Sequence, residues 1–191
     1  MKDIELSVVI PIYNEEENIL PLYESLTVSL TKIGNSYEIV LVDDGSQDKS
    51  KEVITQLCEK DDNLRLIVLR KNFGQTAAFK AGFQNANGRF VITMDADLQN
   101  DPSDIHLLIT KLNEGYDCVS GWRFNRKDSI TKRFFSSFAN LFRRFITTST
   151  IHDSGCSLKI YKRECLEDLP LFGEMHRYIP SLLSWKGFRI G

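Results

Sequence analysis

The strongest constraint on the fold is an alternation of short apolar runs with longer amphipathic stretches over the first 120 residues. Runs rich in Val, Ile and Leu predict strands at 6–12, 37–42, 64–69, 89–94 and 116–120. The stretches between them carry apolar residues at helical spacing and predict helices at 15–33, 48–60, 75–86 and 102–113. Continuous apolar strands joined by helices indicate an α/β fold whose mostly parallel central sheet is covered by helices on both faces.

The remainder of the chain, residues 121–191, does not continue this alternation. It predicts one long helix-like segment and then irregular sequence rich in Gly and Pro. We interpret it as a C-terminal helical and irregular elaboration of the same domain, because 191 residues suit one domain with one sizeable core.

Composition excludes several classes of protein. The 24 Lys and Arg nearly balance the 26 Asp and Glu, so the whole-chain charge predicts no nucleic-acid partner. The four cysteines form no C-x-x-C pair, which argues against a zinc knuckle or a thioredoxin-type motif and favours a reducing compartment. No apolar run approaches the roughly 20 residues of a membrane span, so the chain as given predicts neither a secretory leader nor a transmembrane helix.

Acidic residues follow three of the first four predicted strands. Ligands of open α/β sheets bind outside the carboxyl ends of the strands, so these acids are candidate site residues. For Asp43 and Asp44, a turn that caps the next helix is the structural alternative. The sequence contains neither G-x-G-x-x-G nor G-x-x-x-x-G-K-[ST], so a bound nucleotide would need a metal rather than a glycine-rich loop to neutralise its phosphates.

The segment VITMDADLQNDP supplies a candidate metal site. A turn that begins at Ala96 would let Asp95 and Asp97 face one ion, with Gln99 adding an amide oxygen. Hard oxygen ligands suit Mg²⁺ or Mn²⁺ that bridges two phosphates. Helix-capping acids before Pro102 are the structural alternative, and an EF-hand loop or a phosphoaspartate phosphatase fits the order of elements less well.

Four motifs in order resemble a known family. VVIPIYNEEENI, EIVLVDDGSQDKS, RKNFGQTAAFKAGF and MDADLQNDP are similar to motifs of the family 2 glycosyltransferases with the GT-A fold, and most similar to the branch that transfers sugars to polyprenyl phosphates. The likeness covers nearly the whole chain. It implies a metal-dependent, inverting transferase that moves one sugar from a UDP- or GDP-sugar to a polyprenyl phosphate.

The resemblance also implies roles for individual residues. The nucleotide base and ribose would contact Pro11, Tyr13, Glu15, Val42 and Asp44. The diphosphate and metal would be bound by Asp95, Ala96 and Asp97, with Gln99 as a further metal ligand and Asp97 counted among the catalytic residues. Arg123 would face the donor phosphates, Arg133 and Ser137 would lie near the acceptor phosphate, and Asp153 would be the catalytic acid beside the acceptor. On this basis residues 1–120 form the nucleotide-sugar-binding half and residues 121–191 the half that faces the acceptor and membrane.

The sequence is compatible with more than one role for Asp153, more than one acceptor, and a chain without activity. A phosphate acceptor is already ionised, so Asp153 would orient the acceptor rather than remove a proton, or it could simply be a turn acid. If the acceptor is instead a hydroxyl of a polysaccharide, Asp153 must act as a true base. A nucleotide-sugar-binding module without activity is the third hypothesis.

Residues 130–147 carry an apolar, aromatic stripe bordered by Lys and Arg. This pattern predicts a helix at a membrane interface on the cytoplasmic face, with packing on the sheet as the alternative. Members of the branch continue past the position of Gly191 into a basic stretch and transmembrane helices, so the resemblance implies a membrane anchor beyond this chain. The processive synthases of the same family carry the motif Q-x-x-R-W, which is absent from this sequence. Its absence favours transfer of a single sugar. His176 lies roughly where that motif would fall, and it would either contact the donor phosphates or be a structural histidine. The sequence leaves open whether the chain forms a homo-oligomer.

Overall fold

A computed structural model describes residues 3–122 and 155–191. The strands are β1 (Leu6–Ile12), β2 (Tyr37–Asp43), β3 (Leu64–Val68), β4 (Phe90–Thr93), β5 (Cys118–Ser120) and β6 (Lys159–Lys162). The α-helices are α1 (Ile19–Ile33), α2 (Ser50–Cys58), α3 (Gln75–Asn85), α4 (Ile105–Leu112) and α5 (Ile179–Trp185). Short 3₁₀ turns occupy Pro102–Asp104, Arg163–Leu166 and Met175–Tyr178.

All six described strands form one sheet in the order β3-β2-β1-β4-β6-β5. The pairs β3–β2, β2–β1 and β1–β4 are parallel, whereas β6 runs antiparallel between β4 and β5. The prediction of a mostly parallel central sheet is therefore confirmed. Because β6 is antiparallel, its first residues lie at the same edge of the sheet as the carboxyl ends of β1, β2 and β4.

Helices cover both faces of the sheet, as predicted. On one face α1, α2 and α4 pack on Ile10, Leu41, Ile92 and their neighbours. On the other face α3 and α5 pack on Val9, Val40 and Val91. Successive strand residues thus enter opposite halves of the core, which explains why these strands are continuously apolar.

The structure differs most from the sequence prediction at the start of the first helix and over residues 155–191. The first helix begins at Ile19 rather than at residue 15, because the backbone of the preceding turn binds the start of α2: the Glu15 backbone amide donates to Oγ of Ser50, the first residue of α2, at 2.9 Å. Residues 155–191, predicted to be irregular, contain β6 and α5. The predicted long helix-like segment, which includes residues 130–147, lies outside the described residues. No helix in the described part of the chain is long and apolar enough to cross a membrane.

Candidate active site at the carboxyl edge of the sheet

The carboxyl ends of β1 and β2 bring three of the predicted nucleoside-binding residues together. Pro11 and Val42 are register partners in the parallel pair. The Asp44 amide donates to the Ile12 carbonyl at 2.8 Å, so the chain after β2 stays beside the end of β1. Strand pairing therefore sets the distance between Pro11, Val42 and Asp44.

The turn after β1 carries the other two predicted nucleoside-binding residues. Tyr13 is 42% exposed, and the Glu15 carboxylate accepts a hydrogen bond of 2.6 Å from Asn18 Nδ2. Asn14 adopts a left-handed conformation with φ 55°, and its amide donates to Ser46 Oγ at 3.0 Å. This turn holds Tyr13 and Glu15 at the edge of the sheet, next to the loop that follows β2.

The two neighbouring aspartates at the carboxyl end of β2, Asp43 and Asp44, have different partners. Asp43 accepts from the Ser46 amide at 3.1 Å, so its carboxylate serves the turn, in agreement with the structural alternative. Asp44 is 3% exposed, and its two oxygens accept from the amides of Phe73 and Gly74 at 2.8 and 2.9 Å. The Asp44 carboxylate therefore orders the loop before α3 and also lies at the edge of the candidate site.

The D-A-D segment begins two residues after the end of β4, with Met94 between them. The half-buried Asp95 accepts a hydrogen bond of 2.5 Å at Oδ1 from Gln75 Nε2, and its amide donates to Ser157 Oγ at 3.2 Å. Ala96 is buried. The exposed Asp97 carboxylate accepts a hydrogen bond from the backbone N–H of Gln99 at 3.1 Å. Leu98, with φ 59°, completes the turn. The predicted turn beginning at Ala96 is thus present.

The donor set of this turn fits a hard divalent cation. Asp95 and Asp97 supply carboxylate oxygens and Gln99 an amide oxygen within five consecutive residues. Within residues 3–122 and 155–191, no three His, Cys, Asp or Glu side chains meet as a ready metal cluster. An incomplete oxygen set of this kind suits Mg²⁺ or Mn²⁺, which usually retain waters and bind substrate phosphates alongside one or two carboxylates.

A cavity of about 230 Å³ opens beside Asp95. Its walls come from the first turns of α3, the last residue of β4, the first residues of β6 with the segment before them, and the Met175–Tyr178 turn. The lining residues include Gln75, Phe79, Thr93, Ser157, Lys159, Tyr161 and His176. Lys159 is buried and donates to the Cys156 carbonyl. Burial raises the pKa of the Tyr161 phenol well above its ordinary value, so the phenol stays protonated. Lys159 and the Tyr161 hydroxyl therefore give the cavity polar walls, although both residues are buried.

His176 closes one side of the cavity. Its Nδ1 lies 2.7 Å from Thr76 Oγ1, and its ring lies against Phe79 with 5.9 Å between the ring centroids. Burial lowers the pKa of His176, helped by nearby Arg177 and Lys159 and opposed by Glu174 and Asp95. The imidazole is thus neutral near pH 7 and able to donate or accept hydrogen bonds.

Several residues of this site were not identified from the sequence. Gln75, Ser157 and Lys159 contact the D-A-D turn or line the cavity. Gln75 lies within the motif RKNFGQTAAFKAGF, and Ser157 and Lys159 lie a few residues after the predicted Asp153, but nothing in these stretches of sequence points to the three side chains. The predicted site residues Arg123, Arg133, Ser137 and Asp153 lie outside the described residues.

Two solved structures have the same fold. Mannosyltransferase PcManGT from Pyrobaculum calidifontis, in complex with GDP-Man and Mn²⁺, matches with a TM-score of 0.74 and 21% identity, covering 100% of this chain and 55% of that one. Glucosyl-3-phosphoglycerate synthase from Mycobacterium tuberculosis, in complex with Mn²⁺ and UDP-glucose, matches with a TM-score of 0.70 and 18% identity, covering 98% and 68%. At these identities the likeness establishes the fold, which is the GT-A fold that the sequence motifs implied.

Curated relatives are more similar in sequence. Dodecaprenyl-phosphate galacturonate synthase of Rhizobium johnstonii is 42% identical over 187 residues, which are 96% of this chain and 55% of that protein. Undecaprenyl-phosphate 4-deoxy-4-formamido-L-arabinose transferase of Photorhabdus laumondii is 41% identical over 181 residues, 94% of this chain and 56% of that protein. This chain thus spans about half the length of these relatives. The family model described as glycosyl transferase family 2 matches residues 7–170, and the chain belongs to that family.

Proposed function

We propose that this chain is the catalytic domain of a transferase that moves one sugar, with inversion, from a nucleotide sugar to a polyprenyl phosphate at the cytoplasmic face of a membrane. The observation that carries the proposal is the meeting of Asp44, Asp95 and a polar cavity at one edge of the sheet. The curated relatives support the acceptor class, because both are named for sugar transfer to a polyprenyl phosphate.

The nucleoside end of the donor is assigned to β1 and β2. Pro11 and Val42 lie side by side at the strand ends, and the exposed Tyr13 ring is available for stacking on a base. Glu15 and Asp44 supply carboxylate oxygens for ribose or base hydrogen bonds. Each Asp44 oxygen already accepts one amide N–H and retains a second lone pair for the ligand.

The diphosphate end is assigned to the D-A-D turn. Asp95, Asp97 and Gln99 would bind Mg²⁺ or Mn²⁺, and the small Ala96 side chain lets the backbone approach the phosphates. The bound metal supplies stabilisation of the charge that develops on the leaving nucleoside diphosphate. Arg123 would add a second positive charge at the same phosphates. Two structures of this fold contain Mn²⁺, which is consistent with a metal at this position.

The acceptor end is assigned to the segment between β5 and β6. A polyprenyl phosphate is already ionised near neutral pH, so attack on the anomeric carbon needs no strong base. Arg133 and Ser137 would bind the acceptor phosphate, Asp153 would orient it, and residues 130–147 would lie at the membrane surface. The chain enters β6 directly after this segment, which brings Ser157 and Lys159 beside Asp95.

A transfer assay tests the proposal. The natural protein at its full length is incubated with Mn²⁺, radiolabelled UDP- or GDP-sugars and undecaprenyl phosphate in detergent. The proposal predicts label in the lipid phase with one donor and its loss in EDTA. Label that enters only a polysaccharide would contradict the acceptor assignment, and binding of the donor without any transfer would contradict the enzymatic one.

A further inference from the structure

The contact between Gln75 and Asp95 links two parts of the candidate site that are 20 residues apart in sequence. We infer that Gln75 is a positioning residue, which holds the Asp95 carboxylate in the orientation that receives the metal and diphosphate of the donor. The inference rests on the proposed function and adds to it a residue that acts only through Asp95.

The geometry of the contact defines what Gln75 does. Its Nε2 donates to Asp95 Oδ1 at 2.5 Å, and both residues are half-buried. Among the described residues, no hydrogen bond reaches the second oxygen, Oδ2. An amide that holds one oxygen restricts rotation of the carboxylate and leaves the other oxygen directed elsewhere. Asp95 is thus oriented before any ligand arrives.

Gln75 is itself held by the nucleoside side of the site. It is the first residue of α3 and follows Gly74, whose φ of 90° turns the chain into the helix. The amides of Phe73 and Gly74 donate to the two oxygens of the buried Asp44. Asp44 therefore sets the backbone position of the residue whose side chain reaches Asp95.

The next residue of α3, Thr76, is held by a contact with the Met175–Tyr178 turn. Thr76 is 3% exposed, and its Oγ1 lies 2.7 Å from His176 Nδ1. The backbone of Asp95 is held separately, by the bond from its amide to Ser157 Oγ. The backbone is therefore held in place on both sides of the Gln75–Asp95 contact. Because Gln75 is held by other contacts, its side chain can fix the orientation of the Asp95 carboxylate.

Residues 73–75 consequently connect the predicted nucleoside acid, Asp44, with the predicted diphosphate acid, Asp95. Removing the Gln75 amide leaves the Asp44 bonds in place but frees the Asp95 side chain to rotate. The part of donor affinity that depends on the metal should then fall, because pre-organisation of its ligand is lost. The part that comes from the nucleoside should not change.

Substitution Gln75→Met tests this, since methionine keeps the length of the side chain and removes its N–H donors. Titration calorimetry measures UDP and GDP binding with MnCl₂ and again with EDTA. We expect binding in Mn²⁺ to weaken by about tenfold and any binding in EDTA to stay unchanged. Gln84→Met, on the exposed face of the same helix, is the matched control and should behave as the wild type.

The outcomes are distinct. Wild-type affinity of Gln75→Met in Mn²⁺ would overturn the inference, and so would an equal loss in Mn²⁺ and EDTA, which would assign Gln75 to the nucleoside side. Thermal unfolding followed by circular dichroism verifies that the variant is folded. If the wild type binds neither nucleotide in Mn²⁺, the proposed function is wrong and the inference falls with it.

Discussion

At the scale of residues, burial decides the charge of His176 next to the candidate site. Its ring packs on Phe79 and its Nδ1 lies beside Thr76 Oγ1, so a charged imidazole at this place would lose part of its hydration. Burial lowers the pKa of the imidazole in the folded state. The unfolded chain therefore binds a proton at His176 more readily than the folded chain does.

This difference predicts a pH dependence of stability. As pH falls below about 6.5, the ordinary pKa of histidine, the unfolded state gains the proton first and the free energy of unfolding declines. The contribution is fully present above that pH. In His176→Gln the decline between pH 7.5 and 5.5 should be smaller, as measured by urea denaturation at both values.

The matched control is His106→Gln, which changes an exposed histidine of α4. It should keep the wild-type decline. An identical pH dependence in His176→Gln and the wild type would contradict the assignment of a lowered pKa to His176.

Individual site residues were predictable only where their chemistry was visible in the sequence. Asp44, Asp95 and Asp97 could be named as candidates because carboxylates at the ends of predicted strands are conspicuous, and their role in binding remains a prediction. Gln75 and Ser157 were not, since their roles arise from contacts with Asp95 across 20 and 62 residues of sequence. The sequence alone does not show which distant residue a neutral polar side chain will contact in the folded protein.

At the scale of elements, the small side chains of α3 let the helix lie close to the sheet. Ala77, Ala78, Ala81 and Gly82 are small residues of this helix, and the structure shows the close approach at Gly82. A Cβ atom added there would lie 2.2 Å from Cγ1 of Val9 in β1. The distance between α3 and β1 in turn sets where Gln75 and Thr76 meet the site.

Gly82→Ala should therefore destabilise the protein. Either Val9 must leave its place or α3 must move away from the sheet, and overpacking of this kind costs about 1–3 kcal/mol. Urea denaturation measures the loss. Gln84→Ala, on the exposed side of α3, is the control and should change the free energy of unfolding little. Unchanged stability of Gly82→Ala would contradict the packing of α3 on β1.

The strands also show which elements sequence patterns reveal. β1 to β4 were predicted nearly to the residue because they are apolar runs bounded by turns. β6 was missed: Lys159 and Lys162 give KIYK a charged appearance, although Lys159 is buried and Ile160 and Tyr161 enter opposite halves of the core. Four residues paired on both sides need tertiary contacts to become a strand, and no local pattern encodes those contacts.

At the scale of the whole molecule, the chain combines the GT-A fold with a basic, aromatic segment of sequence. The chain spans about half the length of its curated relatives. The segment 130–147, rich in Arg and Phe, is proposed to lie at the membrane surface where the acceptor lipid resides. Cations over anionic head groups would attract this face to the membrane.

The double charge reversal Arg143→Glu with Arg144→Glu tests the membrane assignment. It should weaken sedimentation of the protein with vesicles that contain phosphatidylglycerol, because each basic residue near an anionic surface contributes about 1 kcal/mol. The control reverses two exposed lysines of the α2 region, Lys49→Glu with Lys51→Glu, and should leave association unchanged. Equal loss in both variants would indicate general electrostatics instead of a specific surface.

The central claim is that the D-A-D turn at the sheet edge binds a nucleoside diphosphate through a divalent metal. The most direct measurement is calorimetric titration of UDP and GDP into the wild type and Asp97→Asn, each with MnCl₂ and with EDTA; Asp62→Asn, at an exposed aspartate away from the edge, is the control. We predict Mn²⁺-dependent binding of one nucleotide. Asp97→Asn should weaken this binding by at least about tenfold, because the substitution removes one carboxylate charge at the metal. Binding that is unaffected by EDTA and by Asp97→Asn, or no binding of either nucleotide, would contradict the claim.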